Sequence, residues 1–147
     1  MGYERSKKEA DEEIDNVVLQ TIELMDSYCS SMGRLENCLR EGCVQLAKTR
    51  YVVGNRNVSD LQLPTTRPYL ARTLLTTKAD KVILSQHENG DDPLKRFGIL
   101  VPNSLRLAQN QFCKCLESTV EAVNIKNELD YLQKKLRNLK LKKKEMN

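Results

Sequence analysis

Ten positions between Ile14 and Leu46 recur at alternating steps of four and three. They are Ile14, Val18, Thr21, Met25, Tyr28, Met32, Leu35, Leu39, Gly42 and Leu46. Such a heptad pattern places one narrow stripe on one side of an α-helix, and all but Thr21 and Gly42 are apolar or aromatic. Val17, Ile22, Cys29 and Cys43 widen the stripe. The segment opens on Glu9, Asp11, Glu12, Glu13 and Asp15, which suit the positive end of a helix dipole. It closes at Gly54-Asn55, a stop at which glycine can take a left-handed cap. The expected helix spans about 9–53 and is roughly 65 Å long at 1.5 Å per residue.

A second helix is expected over about 102–143. Pro102 is compatible with a first turn, and Asn103 and Ser104 add capping character. From Ile125 the apolar residues Leu129, Leu132, Leu136 and Leu139 again alternate four and three. Upstream lie Leu105, Ala108, Phe112, Cys115, Leu116, Val120, Ala122 and Val123, with a register slip expected between Val120 and Ile125. The final turns are basic, from Lys134 to Lys144, whereas the first helix begins acidic. That charge pattern favours the helices running antiparallel, although each exposed pair contributes only a few tenths of a kcal/mol.

The expected fold is therefore mainly α: a long antiparallel two-helix coiled coil with a partly irregular or short-strand connector over about 54–101, all in one elongated domain. A chain with 30% charged residues, 5% aromatics and no Trp suits an elongated structure with a narrow buried seam. Gly33 and Gly42 fall inside the first helix, and Gly42 on the seam suggests close approach of a second backbone. Within the connector, Val58–Leu63 is a short alternating segment closed by Pro64, and Thr65–Pro68 reads as a turn. Tyr69–Leu84 has no clean period. Asn89-Gly90 would make a hairpin turn only between paired strands. The densest apolar island is Pro93–Pro102, PLKRFGILVP, where the chain turns into the second helix.

The chemistry is that of a binding protein. There is one His, His87, and no G-x-S-x-G, H-E-x-x-H or phosphate-cradling loop, so no enzymatic activity, cofactor or metal is expected. Cys29, Cys38, Cys43, Cys113 and Cys115 are odd in number, sit in expected helices and include no C-x-x-C pair. They read as reduced thiols in small apolar positions. The N-terminus lacks the apolar core of a signal peptide, and no apolar run approaches the roughly 18 residues of a spanning helix. Met1-Gly2 with Ser6 matches the bare myristoylation pattern, a short motif that recurs by chance. The basic end reads first as a solvated, dipole-matched helix end and second as a lipid contact; with no aromatic platform, no nucleic-acid partner is expected.

Two blocks carry a family resemblance: LAKTRYVVG, Leu46–Gly54, followed by VSDLQ at Val58–Gln62; and PLKRFGILVPNSLRLAQ, Pro93–Gln109. Together they resemble the coiled-coil family of vacuolar-ATPase assembly factors, with FGILVP as the more specific block. The resemblance implies a non-enzymatic chaperone for the membrane sector of the proton-pumping V-type ATPase, supporting endomembrane and lysosomal acidification. It implies work at the cytosolic face of the endoplasmic reticulum. The implied partners are a membrane-anchored assembly factor and membrane-sector subunits, with peripheral membrane association through that partner, aided by the basic tail. This chain lacks the long polar insertion of the human-type member. It also has Lys95-Arg96 where that member carries an aromatic before the Phe. Arg50, Tyr51, Phe97, Ile99 and Leu100 are the candidate partner contacts; local packing is the competing reading for each. Two other functions compete: a prefoldin-like holdase subunit, which calls for two regular hairpins, and a generic coiled-coil adaptor or tether at a membrane surface.

Overall fold

The computed structural model describes residues 2–63 and 68–145, with side chains from Lys8 onward. The Met1-to-Ser6 pattern and most of the Thr65–Pro68 turn thus lie outside the described side chains. Helix α1 spans Gly2–Val53 and helix α2 spans Asn103–Glu145. Between them come 3₁₀ turns at Asn55–Asn57 and Asp60–Gln62, strands β1 (Thr73–Lys78) and β2 (Lys81–Gln86), and a 3₁₀ turn at Pro93–Phe97. The strands pair antiparallel, Thr73 opposite Gln86 through Lys78 opposite Lys81.

The expected long antiparallel two-helix coiled coil is corrected by the structure. The molecule is mostly helical, but a helical hairpin with an irregular link is not what it shows. The connector folds into a two-stranded sheet, whose β2 strand packs on α2, and three short helical turns, the first against α1 and the last against the start of α2. Its residues also build the main apolar cluster: Val58 and Leu94 join Leu105 of α2, and Leu46, Val53, Phe97 and Val101 pack around them. This cluster thus sits at one end, where the chain leaves α1 and enters α2, while further buried residues such as Val17, Cys115, Ala122 and Leu132 lie along the helices.

The expected seam along α1 is also displaced. Ile14, Thr21, Tyr28, Leu35 and Gly42 do turn inward, all at least half-buried. Of the alternate positions, Val18 and Leu46 are half-buried at the two ends, but the three between them are not: Met25 is 55% exposed, Met32 41% and Leu39 50%. The residue one place earlier is buried or half-buried throughout, giving Val17, Leu24, Ser31, Cys38 and Gln45. Several of these are small or polar, so apolar patterning misses them. Ser31 and Thr49 are fully buried. Ser31 Oγ donates to the Ser118 carbonyl of α2 at 3.1 Å, and the hydroxyls of Thr49 and Ser104 bond at 2.7 Å. Small side chains let the helices approach closely enough for these bonds, which satisfy groups whose burial would otherwise be costly. On α2, buried Cys115, Ser118 and Ala122 step by three and then four.

At the far end, Lys135 Nζ lies 3.1 Å from Glu13, and Lys143 pairs with Asp11. The acidic start and basic finish therefore meet. Both pairs are partly exposed, so they orient more than they stabilise.

The hairpin turn is Ala79-Asp80, not Asn89-Gly90. Both turn residues have positive φ, 47° and 65°. A two-residue turn between right-twisted strands requires this. Asn89-Gly90 instead follows β2, where the Gly90 N–H donates to the His87 carbonyl at 3.0 Å. Asn124 of α2 anchors the hairpin. Its Oδ1 accepts the Val82 N–H at 2.8 Å, and its Nδ2 donates to the Val82 carbonyl at 2.9 Å.

Candidate partner-binding corner

The two motif blocks converge on the apolar cluster. Helix α1 stops at Val53 because Gly54 takes φ 89°, ψ 144°, a conformation that side-chain-bearing residues avoid. The Gly54 N–H still donates to the Arg50 carbonyl at 3.0 Å, closing the last turn. The chain then folds back, and Arg50 Nε donates to the Val58 carbonyl at 3.0 Å. Val58 is thereby held in the cluster. Ser59 and Gln62 form a reciprocal capping box that shapes the following turn.

The second block enters through Asp92. Its Oδ1 accepts from the Leu94 N–H and from Gln109 Nε2, both at 3.1 Å, and its Oδ2 lies 3.5 Å from Arg72. The Leu94 N–H bond, above all, holds the Asp92 carboxyl below its ordinary value of 3.8. Gln109, Arg72 and Lys95 add to this, against the opposing effect of burial. Leu94 is buried as a result, and Phe97 packs on the cluster beneath it.

Beyond Gly98, which has φ 99°, the chain points outward. Ile99 is 99% exposed and Leu100 93%, while Val101 returns to the cluster. Tyr51, two residues before cluster member Val53, is 91% exposed. The five candidate residues thus divide by role. Arg50 and Phe97 hold the corner together; Tyr51, Ile99 and Leu100 present apolar surface from it. Val52, Leu61 and Leu63 are also exposed at this end and were not singled out by sequence. Their signal was apolar character in turns flanking Gly54. Arg96 lies over the Tyr69 ring, 4.3 Å from its centroid, a cation–π contact.

An open groove of about 590 Å³ runs beside the corner, lined by Tyr69, Phe97, Leu105, Phe112, Cys113 and Leu116 among others. It is predominantly apolar and brings together no nucleophile–base pair. Among the described residues, no group of His, Cys, Asp or Glu could hold a metal ion, and no helix is long and apolar enough to cross a membrane. The five cysteines are free thiols. Burial pushes the Cys115 thiol upward, reinforced by Cys38 and Cys43.

No protein-family model matches the chain. A mouse (Mus musculus) protein named vacuolar ATPase assembly protein VMA22 is 29% identical over 168 aligned positions, covering 92% of this chain and 93% of that protein. The Homo sapiens protein of the same name is 26% identical and the Bos taurus one 25%, each covering 91% of this chain and 93% of the relative. The similarity thus spans nearly the whole of both chains: from end to end this chain is similar to vacuolar ATPase assembly proteins.

Proposed function

We propose that this chain is an assembly factor for the vacuolar ATPase that acts by binding and catalyses no reaction of its own. The name of its full-length relatives supports the assembly role. The observation that carries the binding reading is the exposure of Ile99 and Leu100, on a loop whose two ends are held by buried Leu94 and half-buried Val101. Two large aliphatic side chains held almost wholly in water lose that exposure when a partner covers them. Tyr51 contributes from the end of α1, while Arg50 and Phe97 keep the corner in shape. In this reading the partners are a membrane-anchored assembly factor and membrane-sector subunits of the pump. The work takes place at the cytosolic face of the endoplasmic reticulum and supports acidification of endomembrane compartments. Membrane association is peripheral and comes through the partner. The pairing of Lys135 and Lys143 with α1 leaves the rest of the basic end as a secondary lipid contact.

The test is mass spectrometry of proteins co-purifying with the tagged chain from detergent-solubilised membranes. The other assembly factor and membrane-sector subunits are expected, and an Ile99→Asp/Leu100→Asp variant should lose them while keeping its helical circular dichroism. Undiminished recovery with that variant would remove the corner from the account. Normal organelle acidification in cells lacking the protein would remove the function.

A further inference from the structure

The two edges of the β-hairpin are treated differently. The outer edge of β2 is occupied, because Asn124 takes both the N–H and the C=O of Val82. Those groups therefore point away from β1. Antiparallel partners alternate between pairs that exchange backbone bonds and pairs whose polar groups face outward. Val82 stands opposite Thr77, so Thr77 also faces outward, and by alternation so do Leu75 and Thr73. The His87 N–H donating to the Arg72 carbonyl at 2.7 Å fixes the same phase. Among the described residues, no backbone bond reaches the outward groups of Thr73, Leu75 or Thr77. The strand has no proline and no bulge, and its only charge is Lys78 at the end, with Arg72 just before its start.

We propose that this open β1 edge is a self-association surface, and that a second copy of the chain covers it by antiparallel β1–β1 pairing. The outward positions read Thr, Leu, Thr, which is the same in both directions. A two-fold axis through Leu75 therefore sets Leu75 against its own copy and Thr73 against Thr77. Each outward N–H then meets an outward C=O, as an isologous contact requires. Leu75, 62% exposed in the single chain, gains an apolar neighbour, and the Thr pairs are favourable cross-strand partners. The product is a four-stranded sheet, β2–β1–β1–β2, with an α2 helix at each outer margin. One pairing opposes it: the same register sets Lys78 across from Arg72, so added salt should strengthen the association rather than weaken it. The surface lies on the hairpin, apart from the corner formed by Ile99 and Leu100, and the inference does not depend on the proposed function.

The experiment is sedimentation equilibrium of the purified chain over a range of concentrations, with amide hydrogen exchange at low and high concentration. A reversible monomer–dimer equilibrium is expected, with Thr73, Leu75 and Thr77 amides gaining protection as dimer forms. Leu75→Lys, which sets two like charges on the axis, should shift the protein to the monomer mass with unchanged helical signal. Ile99→Asp should leave the dimer intact. A monomer at every concentration, a dimer untouched by Leu75→Lys, or a dimer lost with Ile99→Asp would each overturn the proposal.

Discussion

A Cβ built on Gly42 of α1 would stand 2.7 Å from the Phe112 ring of α2. Glycine is required here by a facing aromatic side chain, not by the second backbone that its seam position suggests. Gly33, in the same helix, has nothing within 4 Å of such a Cβ. The two glycines should respond oppositely to one substitution. Gly33→Ala should stabilise by up to about 1 kcal/mol, the intrinsic helix preference of alanine. Gly42→Ala gains the same preference but overpacks a site where displacement typically costs about 1–3 kcal/mol. Its net effect is a destabilisation of about 1 kcal/mol. Chemical denaturation of both variants checks the sign; stabilisation by Gly42→Ala would mean that the Phe112 ring yields freely.

Asn124 ties the hairpin to α2 through one side chain. Asn124→Ala leaves the Val82 N–H and C=O without their partners, at a cost of about 1–3 kcal/mol. The loss should be local. Exchange of β2 amides should accelerate while the middle of α1 is unaffected. Asn124→Asp keeps the acceptor and loses the donor, so it should fall between the two. Equal acceleration throughout the molecule would show that the hairpin is not a separable unit.

Asp92 makes stability depend on acid pH. Its folded carboxyl titrates below the ordinary value of 3.8, chiefly because it accepts the Leu94 N–H. The contribution is present in full above the unfolded value and disappears as pH falls through the folded one. Wild-type stability should therefore decline below about pH 4, and Asp92→Asn should flatten that part of the curve. Identical acid limbs for the two proteins would argue against a specific role for Asp92.

The thiols should separate kinetically. Cys29, Cys43 and Cys113 are exposed and Cys38 is half-buried. Cys115 is buried, and its thiol is held protonated by burial. Under native conditions a thiol reagent should modify Cys115 last, at a rate that rises sharply in denaturant. Simultaneous modification of all five would contradict the buried placement.

Several features were written in local chemistry. Gly54 ends α1 because its backbone angles exclude other residues, and local sequence is enough to mark it. The acidic turns near Asp11 and the basic turns near Lys143 meet because opposite charges mark the two ends. LAKTRYVVG and FGILVP carried the resemblance to vacuolar ATPase assembly factors because such blocks depend on residue identity rather than on tertiary contact. The inner line of α1 was only half legible. Ser31 and Thr49 are buried because α2 supplies hydroxyl and carbonyl partners, and no apolar pattern reports a partner that distant in sequence. The Ala79-Asp80 turn was illegible because alanine at positive φ runs against its own preference, which pairing along six residues of each strand overrides.

By itself, the sequence determined where α1 stops and α2 starts, the charge polarity, the absence of the familiar catalytic motifs and the family resemblance, since each rests on residues close together or on identity alone; the start of α1, at Gly2 rather than near Glu9, was not among them. Tertiary structure decided which face of α1 is buried, that the connector becomes a sheet and a core, and that Phe97 turns in while Ile99 and Leu100 turn out. Those outcomes depend on what α2 and the connector place opposite each residue: burial is a property of the pair, and a single chain position does not contain its neighbour.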